Sequence, residues 1–212
     1  MSYSGAHRTN SMESTDRRRS PLVLGIAGLA AAVLLSSCAP HRYKGTEYLD
    51  PHPAHDFELT GGDGEQVRLS ELRGKVVILF FGFTSCPDVC PTTLSEAKQI
   101  LQGLGEDEGQ VAYLFVTVDP ERDTPEALQR YVDLFHPSIT GLSGSPEALT
   151  QVWGDYGIFV EKTPLEGSAQ DYTVTHTARV FVIDAAGRLR LSYSFGTPYQ
   201  DILQDVQHLL AS

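Results

Sequence analysis

Two cysteines separated by three residues carry the chemistry this chain can offer. They lie in Phe83-Thr84-Ser85-Cys86-Pro87-Asp88-Val89-Cys90-Pro91, directly after Val76 to Phe83, an apolar run of strand length. Open α/β sheets hold their reactive groups beyond the carboxyl ends of strands, so the position suits a site. A thiolate sulfur is both a metal ligand and the nucleophile of disulfide exchange; the pair alone leaves both uses open. Each cysteine precedes a proline, and a residue before proline avoids the α region. The following helix is therefore expected to begin only after Pro91, with both sulfurs on a loop at its N-terminus. There the helix dipole favours thiolate, while Asp88 between the two opposes it. An inert disulfide is the plainer alternative. Closing so small a loop stabilises little, and such a bridge has no need of two prolines and a strand end.

Two thiolates do not complete a metal site. Zinc takes four ligands, whereas a copper ion of low charge accepts soft sulfur donors in low coordination. A third donor must come from farther along the chain, and His136, His176 and His208 are the candidates. His136 precedes Pro137 at a helix end, where an imidazole serves as a cap. His208 belongs to the last helix, whose apolar face is already filled, and is expected to face solvent. His176, in Tyr172-Thr173-Val174-Thr175-His176-Thr177-Ala178, stands just before a strand. His41, His52 and His55 are spread over a polar stretch and read as incidental.

The elements that must position these residues form one α/β pattern. Phe57 to Leu59 and Gln66 to Leu69 flank Gly61-Gly62-Asp63-Gly64, a hairpin signal. Val76 to Phe83 and Val111 to Val118 are continuous apolar runs, as expected of strands buried on both faces. Between them Leu94, Ala97, Ile100, Leu101 and Leu104 share a helical face, and Thr93-Leu94-Ser95-Glu96 fits a capping box. Thr124-Pro125, Ser145-Pro146 and Thr197-Pro198 each place a hydroxyl cap before a first-turn proline. Arg179 to Ile183 and Leu189 to Phe195 flank Asp184-Ala185-Ala186-Gly187 as a second hairpin, and an amphipathic helix from Tyr199 to Leu210 closes the chain. The order is hairpin, β, α, β, α, an irregular middle, hairpin, α. A parallel βαβ half followed by an antiparallel hairpin and a closing helix is the thioredoxin-like arrangement, a central mixed sheet flanked by helices, here with an extra N-terminal hairpin. In such folds the loop entering the last hairpin faces the cysteine loop and usually carries a cis-proline. Here His176 occupies that region.

The N-terminus reads as a targeting segment. Arg17 to Arg19 precede the apolar run Pro21 to Leu35, and Ser36-Ser37 lead to Cys38. Small residues before a cysteine resemble the processing site of bacterial lipoproteins, with Cys38 as the lipidated residue; an uncleaved anchor is the alternative. Either way the rest is expected outside the cytoplasm, on the periplasmic side, tied to a membrane. Residues 1–37 are then signal, 38–56 a tether ending in a peripheral segment, and 57–212 one domain. Lipid on Cys38 also accounts for an odd count of three cysteines. The chain carries a net charge of −11, and −13 without its first 37 residues, which hold four basic and two acidic groups. Such a surface repels phosphate backbones, so nucleic acid is excluded as a partner.

The cysteine block, Val118-Asp119-Pro120-Glu121-Arg122-Asp123-Thr124-Pro125-Glu126 and His176-Thr177-Ala178 together resemble the Sco/SenC family of copper proteins, over a span from about Tyr43 to the C-terminus. The resemblance implies copper held by Cys86, Cys90 and His176, and a role in building the CuA centre of cytochrome c oxidase subunit II. It departs from the family at Thr175, where many members have an acidic residue. Asp119, Arg122 and Asp123 are read as architecture: a strand end, an ion-pair partner and a helix cap. The extracytoplasmic setting oxidises vicinal thiols, so a thiol reductant of thioredoxin type is a further expected partner. A thiol–disulfide oxidoreductase acting on the target's cysteines is the rival reading, and His176 separates the two, because disulfide exchange needs no third ligand.

Overall fold

The computed structural model describes Met1 and residues 41–165 and 171–212. The apolar run Pro21 to Leu35 and the lipidation candidate Cys38 lie outside the described residues. A compact unit spans Arg42–Ser212. Among the described residues it holds ten strands, β1 Thr46–Glu47, β2 Glu58–Gly61, β3 Gln66–Arg68, β4 Val76–Gly82, β5 Val111–Thr117, β6 Ile139–Ser143, β7 Val160–Pro164, β8 Tyr172–His176, β9 Arg179–Ile183 and β10 Leu189–Ser194. Its α-helices are α1 Val89–Leu104, α2 Pro125–Asp133, α3 Pro146–Asp155 and α4 Tyr199–Leu210.

Eight strands form one mixed sheet in the order β1-β10-β9-β4-β5-β6-β2-β3. β4, β5 and β6 run parallel, and β9 and β10 join antiparallel beside β4. This is the expected thioredoxin-like core with an N-terminal hairpin, β2–β3, added beyond β6. Alternation along β4 sorts the core onto two faces. Phe80 packs against Phe115, which meets Tyr131 of α2. On the other face Phe81 contacts Phe181 and Tyr156, the residue that ends α3. β4 is buried along its whole length.

Three expectations about the elements need correction. The folded unit begins well before residue 57. β1 adds to the free edge of β10, and Lys44 and Gly45 donate backbone N–H groups to the buried carboxylate of Asp205 at 2.7 and 3.1 Å. The irregular middle contains a strand of the main sheet, β6, and a separate two-stranded ribbon, β7–β8. Of the hydroxyl caps, Thr124 and Ser145 accept from the N–H groups of Ala127 and Ala148, each at 3.2 Å. Thr197 instead donates to the Ser194 carbonyl in the turn before α4. Thr124→Ala and Ser145→Ala should each lower unfolding free energy by about 1 kcal/mol, and Thr197→Ala by clearly less. Urea unfolding of the 42–212 unit measures this; equal losses at all three positions would refute the assignment of the caps.

Candidate metal centre

β4 delivers the chain to the site at Phe83, and the loop from Thr84 to Asp88 turns it into α1. Cys86 N–H closes the turn on the Phe83 carbonyl at 3.3 Å. The helix starts earlier than its prolines suggest, so that Cys90 lies in its first turn and Pro91 follows it inside the helix. First-turn N–H groups have no intrahelical acceptor, so a proline there removes nothing. The first helical bond runs from Thr92 N–H to the Asp88 carbonyl at 3.2 Å. Thr93, expected as a cap, is buried inside the helix with its hydroxyl on the Val89 carbonyl. The cap side chain, Asp88, makes no capping bond. Cys86 takes that place: its sulfur accepts the Cys90 N–H at 3.4 Å.

This arrangement makes the two cysteines unequal. Both are free thiols, Cys86 half-buried and Cys90 fully buried. The Cys90 thiol donates to the Cys86 sulfur, which lowers Cys86 to a pKa of about 5 with further help from helix-terminal N–H groups. The same bond, and then burial, push Cys90 up. The two shifts run in opposite directions and favour the thiolate on the more accessible sulfur, Cys86. Gly82 makes room for this: a Cβ there would stand 2.7 Å from Cys90 Sγ and 2.6 Å from the Phe115 ring. Only glycine leaves the strand end bare enough for the buried sulfur.

His176 is the last residue of β8, and its ring packs edge-on against Phe83 with centroids 5.9 Å apart. Its Nδ1 lies 3.1 Å from the Thr177 carbonyl. A carbonyl only accepts, so the proton sits on Nδ1 and the Nε2 lone pair is left for a ligand. Burial lowers the imidazole pKa, and the Cys86 charge opposes this; the neutral form is the one that binds metal. His176 and Cys86 thus interact electrostatically. Among the described residues, no group of three His, Cys, Asp or Glu side chains is already drawn together as a metal cage. The donors are neighbours, and their chemistry fits a soft ion in low coordination.

Among the described residues, several other histidines have local partners of their own. His136 accepts the Ser138 N–H at 3.3 Å, a local capping role. His208, expected to face solvent, is half-buried and stacks edge-on on Tyr43. His52 and His55 contact each other, with centroids 6.2 Å apart.

Asp119 and Asp123 do more than end a strand and begin a helix. Asp123 is completely buried and receives the Thr84 N–H at 3.1 Å, the Thr84 hydroxyl and the Thr117 hydroxyl at 2.7 Å. Burial raises its pKa, and these donors counteract the rise. Asp119, also fully buried, receives Arg122, the Tyr172 hydroxyl at 2.6 Å and Lys162 at 3.3 Å. Arg122 does pair with a neighbouring carboxylate, as its spacing suggests. Tyr172 and Lys162 escape sequence reasoning, because nothing local marks a tyrosine that bonds a carboxylate 53 positions away.

The SCO1/SenC family model matches residues 46–211. The chain is 33% identical over 148 residues to the SCO2-like protein RP587 of Rickettsia prowazekii, covering 70% of this chain and 72% of that protein. Among solved structures it resembles apo Sco1 of Thermus thermophilus, with 47% identity, a TM-score of 0.72 and coverage of 81% and 99% of the two chains. It also resembles ScoI of Bradyrhizobium japonicum, solved with copper bound, at 36% identity and a TM-score of 0.69 over 75% of this chain and 100% of that one. A family match over nearly all of the folded unit, together with the cysteine loop and the histidine ribbon on a thioredoxin-like sheet, leads to one conclusion: the chain belongs to the SCO1/SenC family.

Proposed function

We propose that this chain takes up copper on Cys86, Cys90 and His176 and passes it to the CuA site of cytochrome c oxidase subunit II. One observation carries the reading: the half-buried Cys86 sulfur accepts the Cys90 N–H at 3.4 Å at the start of α1, a setting that lowers its pKa to about 5, and the imidazole that interacts with it has its Nδ1 3.1 Å from a carbonyl. Copper entry then displaces only the Cys90 proton, since Cys86 is already ionised and His176 already neutral. The copper-bound relative from Bradyrhizobium japonicum supports the choice of metal. Release is a ligand exchange in which the acceptor's thiolates enter as Cys86 and Cys90 leave and Cys90 regains its proton; no electron moves. The resemblance of the family motifs supports the acceptor. Cys38 is proposed as the lipidated residue that holds the domain on the outer face of a membrane. Among the described residues no helix is long and apolar enough to cross one.

The asymmetric dithiol also favours a second reading, a reductase of disulfides in the acceptor. The Cys86 thiolate attacks a target sulfur and Cys90, once deprotonated, resolves the mixed disulfide. The pair is oxidised by two electrons as the target is reduced, and a thioredoxin-type dithiol restores it. His176 has no part in that exchange.

In titrations with copper(I) under a competing chelator, the reduced domain should bind one ion. Cys86→Ser and Cys90→Ser should abolish binding, and His176→Ala should weaken it on the order of 100-fold, about 2.8 kcal/mol. Unchanged affinity in His176→Ala would remove the histidine from the site. His176→Ala should still exchange disulfides, which distinguishes the two readings. Alkylation of the reduced chain by iodoacetamide, followed by mass spectrometry, reads the difference between the two sulfurs. As pH rises, Cys86 labelling should grow with a midpoint near about 5, while Cys90 stays unlabelled at neutral pH. A Cys86 midpoint near the ordinary thiol value of 9.0 would contradict it.

A further inference from the structure

His176 rides on an element that the main sheet does not hold. Among the described residues β7 and β8 pair only with each other, from Val160↔His176 to Pro164↔Tyr172, and form a ribbon separate from the eight-stranded sheet. Val174 is its buried apolar anchor. Val160 and Tyr172 also pack in part against the core, and a set of polar contacts converges on one turn. Tyr172 donates its hydroxyl to Asp119 at 2.6 Å, and Lys162 reaches the same carboxylate at 3.3 Å and Glu121 at 3.0 Å. Arg122 donates to the Tyr172 carbonyl at 3.2 Å while its guanidinium lies 4.1 Å from the Tyr172 ring centroid and 5.9 Å from that of Phe83. Phe83 is in turn the ring on which His176 packs.

The cysteine loop hangs from the same turn. Asp123 holds Thr84 through its N–H and hydroxyl, two residues before Cys86. Thr117 ties the two residues together: its hydroxyl donates to the Asp123 carboxylate and accepts the backbone N–H of Asp119 at 2.9 Å. A hydrogen-bonded chain therefore runs from Tyr172 and Lys162 through Asp119, Thr117 and Asp123 to Thr84. We infer that the turn from Asp119 to Asp123 is a positioning device: Asp119 and Arg122, acting through Tyr172 and Lys162, hold the histidine ribbon at a fixed distance from the cysteine loop that Asp123 holds. This rests on the copper reading of the site. Both carboxylates of this latch are fully buried, so removing one of their donors should loosen the ribbon locally. A flat guanidinium stacked between two rings is also something lysine does not replace.

The test uses the reduced domain carrying Tyr172→Phe, which keeps the ring and removes one donor from Asp119, and separately Arg122→Lys. Without metal, amide hydrogen exchange should speed up severalfold across 160–164 and 172–176, and stay unchanged in β4, β5 and α1. With copper(I), affinity should fall about tenfold. In the copper(II)-loaded chain, the imidazole nitrogen coupling in the electron paramagnetic resonance spectrum should weaken while sulfur ligation persists. Exchange unchanged in the ribbon, or faster throughout the domain, overturns the proposal; so does a loosened ribbon with wild-type affinity and nitrogen coupling. Failure of the copper reading itself would show differently, as a wild-type domain that takes up no copper.

Discussion

The carboxylate of Asp123 is buried where β4 and β5 end side by side, and the site depends on it. Both strands are buried and run parallel, so both deliver bare backbone to the same edge of the sheet. A charge placed there is costly unless donors surround it. Thr84 and Thr117 supply those donors, one from each strand end, and Ser143 at the end of β6 donates to the Asp123 carbonyl at 3.0 Å. Satisfying the carboxylate and the backbone carbonyl of one buried residue therefore sets three strand ends relative to one another. The cysteine loop leaves this point with its direction already determined.

From there the chemistry follows from hydrogen bonds rather than from the helix dipole alone. Pro91 does not keep α1 from starting; it sits in the first turn, where a missing N–H costs nothing. Cys90 is consequently drawn into the helix and buried, leaving Cys86 at its tip to accept N–H groups. The opposed pKa shifts of the two sulfurs favour an accessible thiolate at Cys86 and a protected thiol at Cys90. Such a pair suits a soft ion and suits disulfide attack equally, and in the proposed reading the imidazole on the neighbouring ribbon tilts the site toward metal.

Much of this was legible in the residues themselves. The apolar runs of β4 and β5, the second hairpin, the Thr124 and Ser145 caps and the cysteine pair each carry a local signal. The misreadings have physical causes. Rules for proline and for capping boxes are local, and at Pro91 and Thr93 a sulfur acceptor and a buried helix face outweighed them. β7, Val-Glu-Lys-Thr-Pro, is polar and mostly exposed because it lies outside the main sheet, so it shows no core periodicity. β1 has only two residues and exists because β10 offers a free edge. The pairing of Tyr172 with Asp119 is a property of the folded chain and has no counterpart in local pattern. Family resemblance pointed to His176, while the structure adds its tautomer and its support.

The central claim is that two sulfurs from one loop and one imidazole nitrogen from a separately held ribbon share one copper ion. X-ray absorption at the copper edge of the copper(I)-loaded domain tests it most directly. The account predicts a three-coordinate ion with two sulfur neighbours and one nitrogen, the nitrogen shell disappearing in His176→Ala. A shell of sulfur alone in the wild-type domain, or a nitrogen shell that survives the loss of His176, would contradict it.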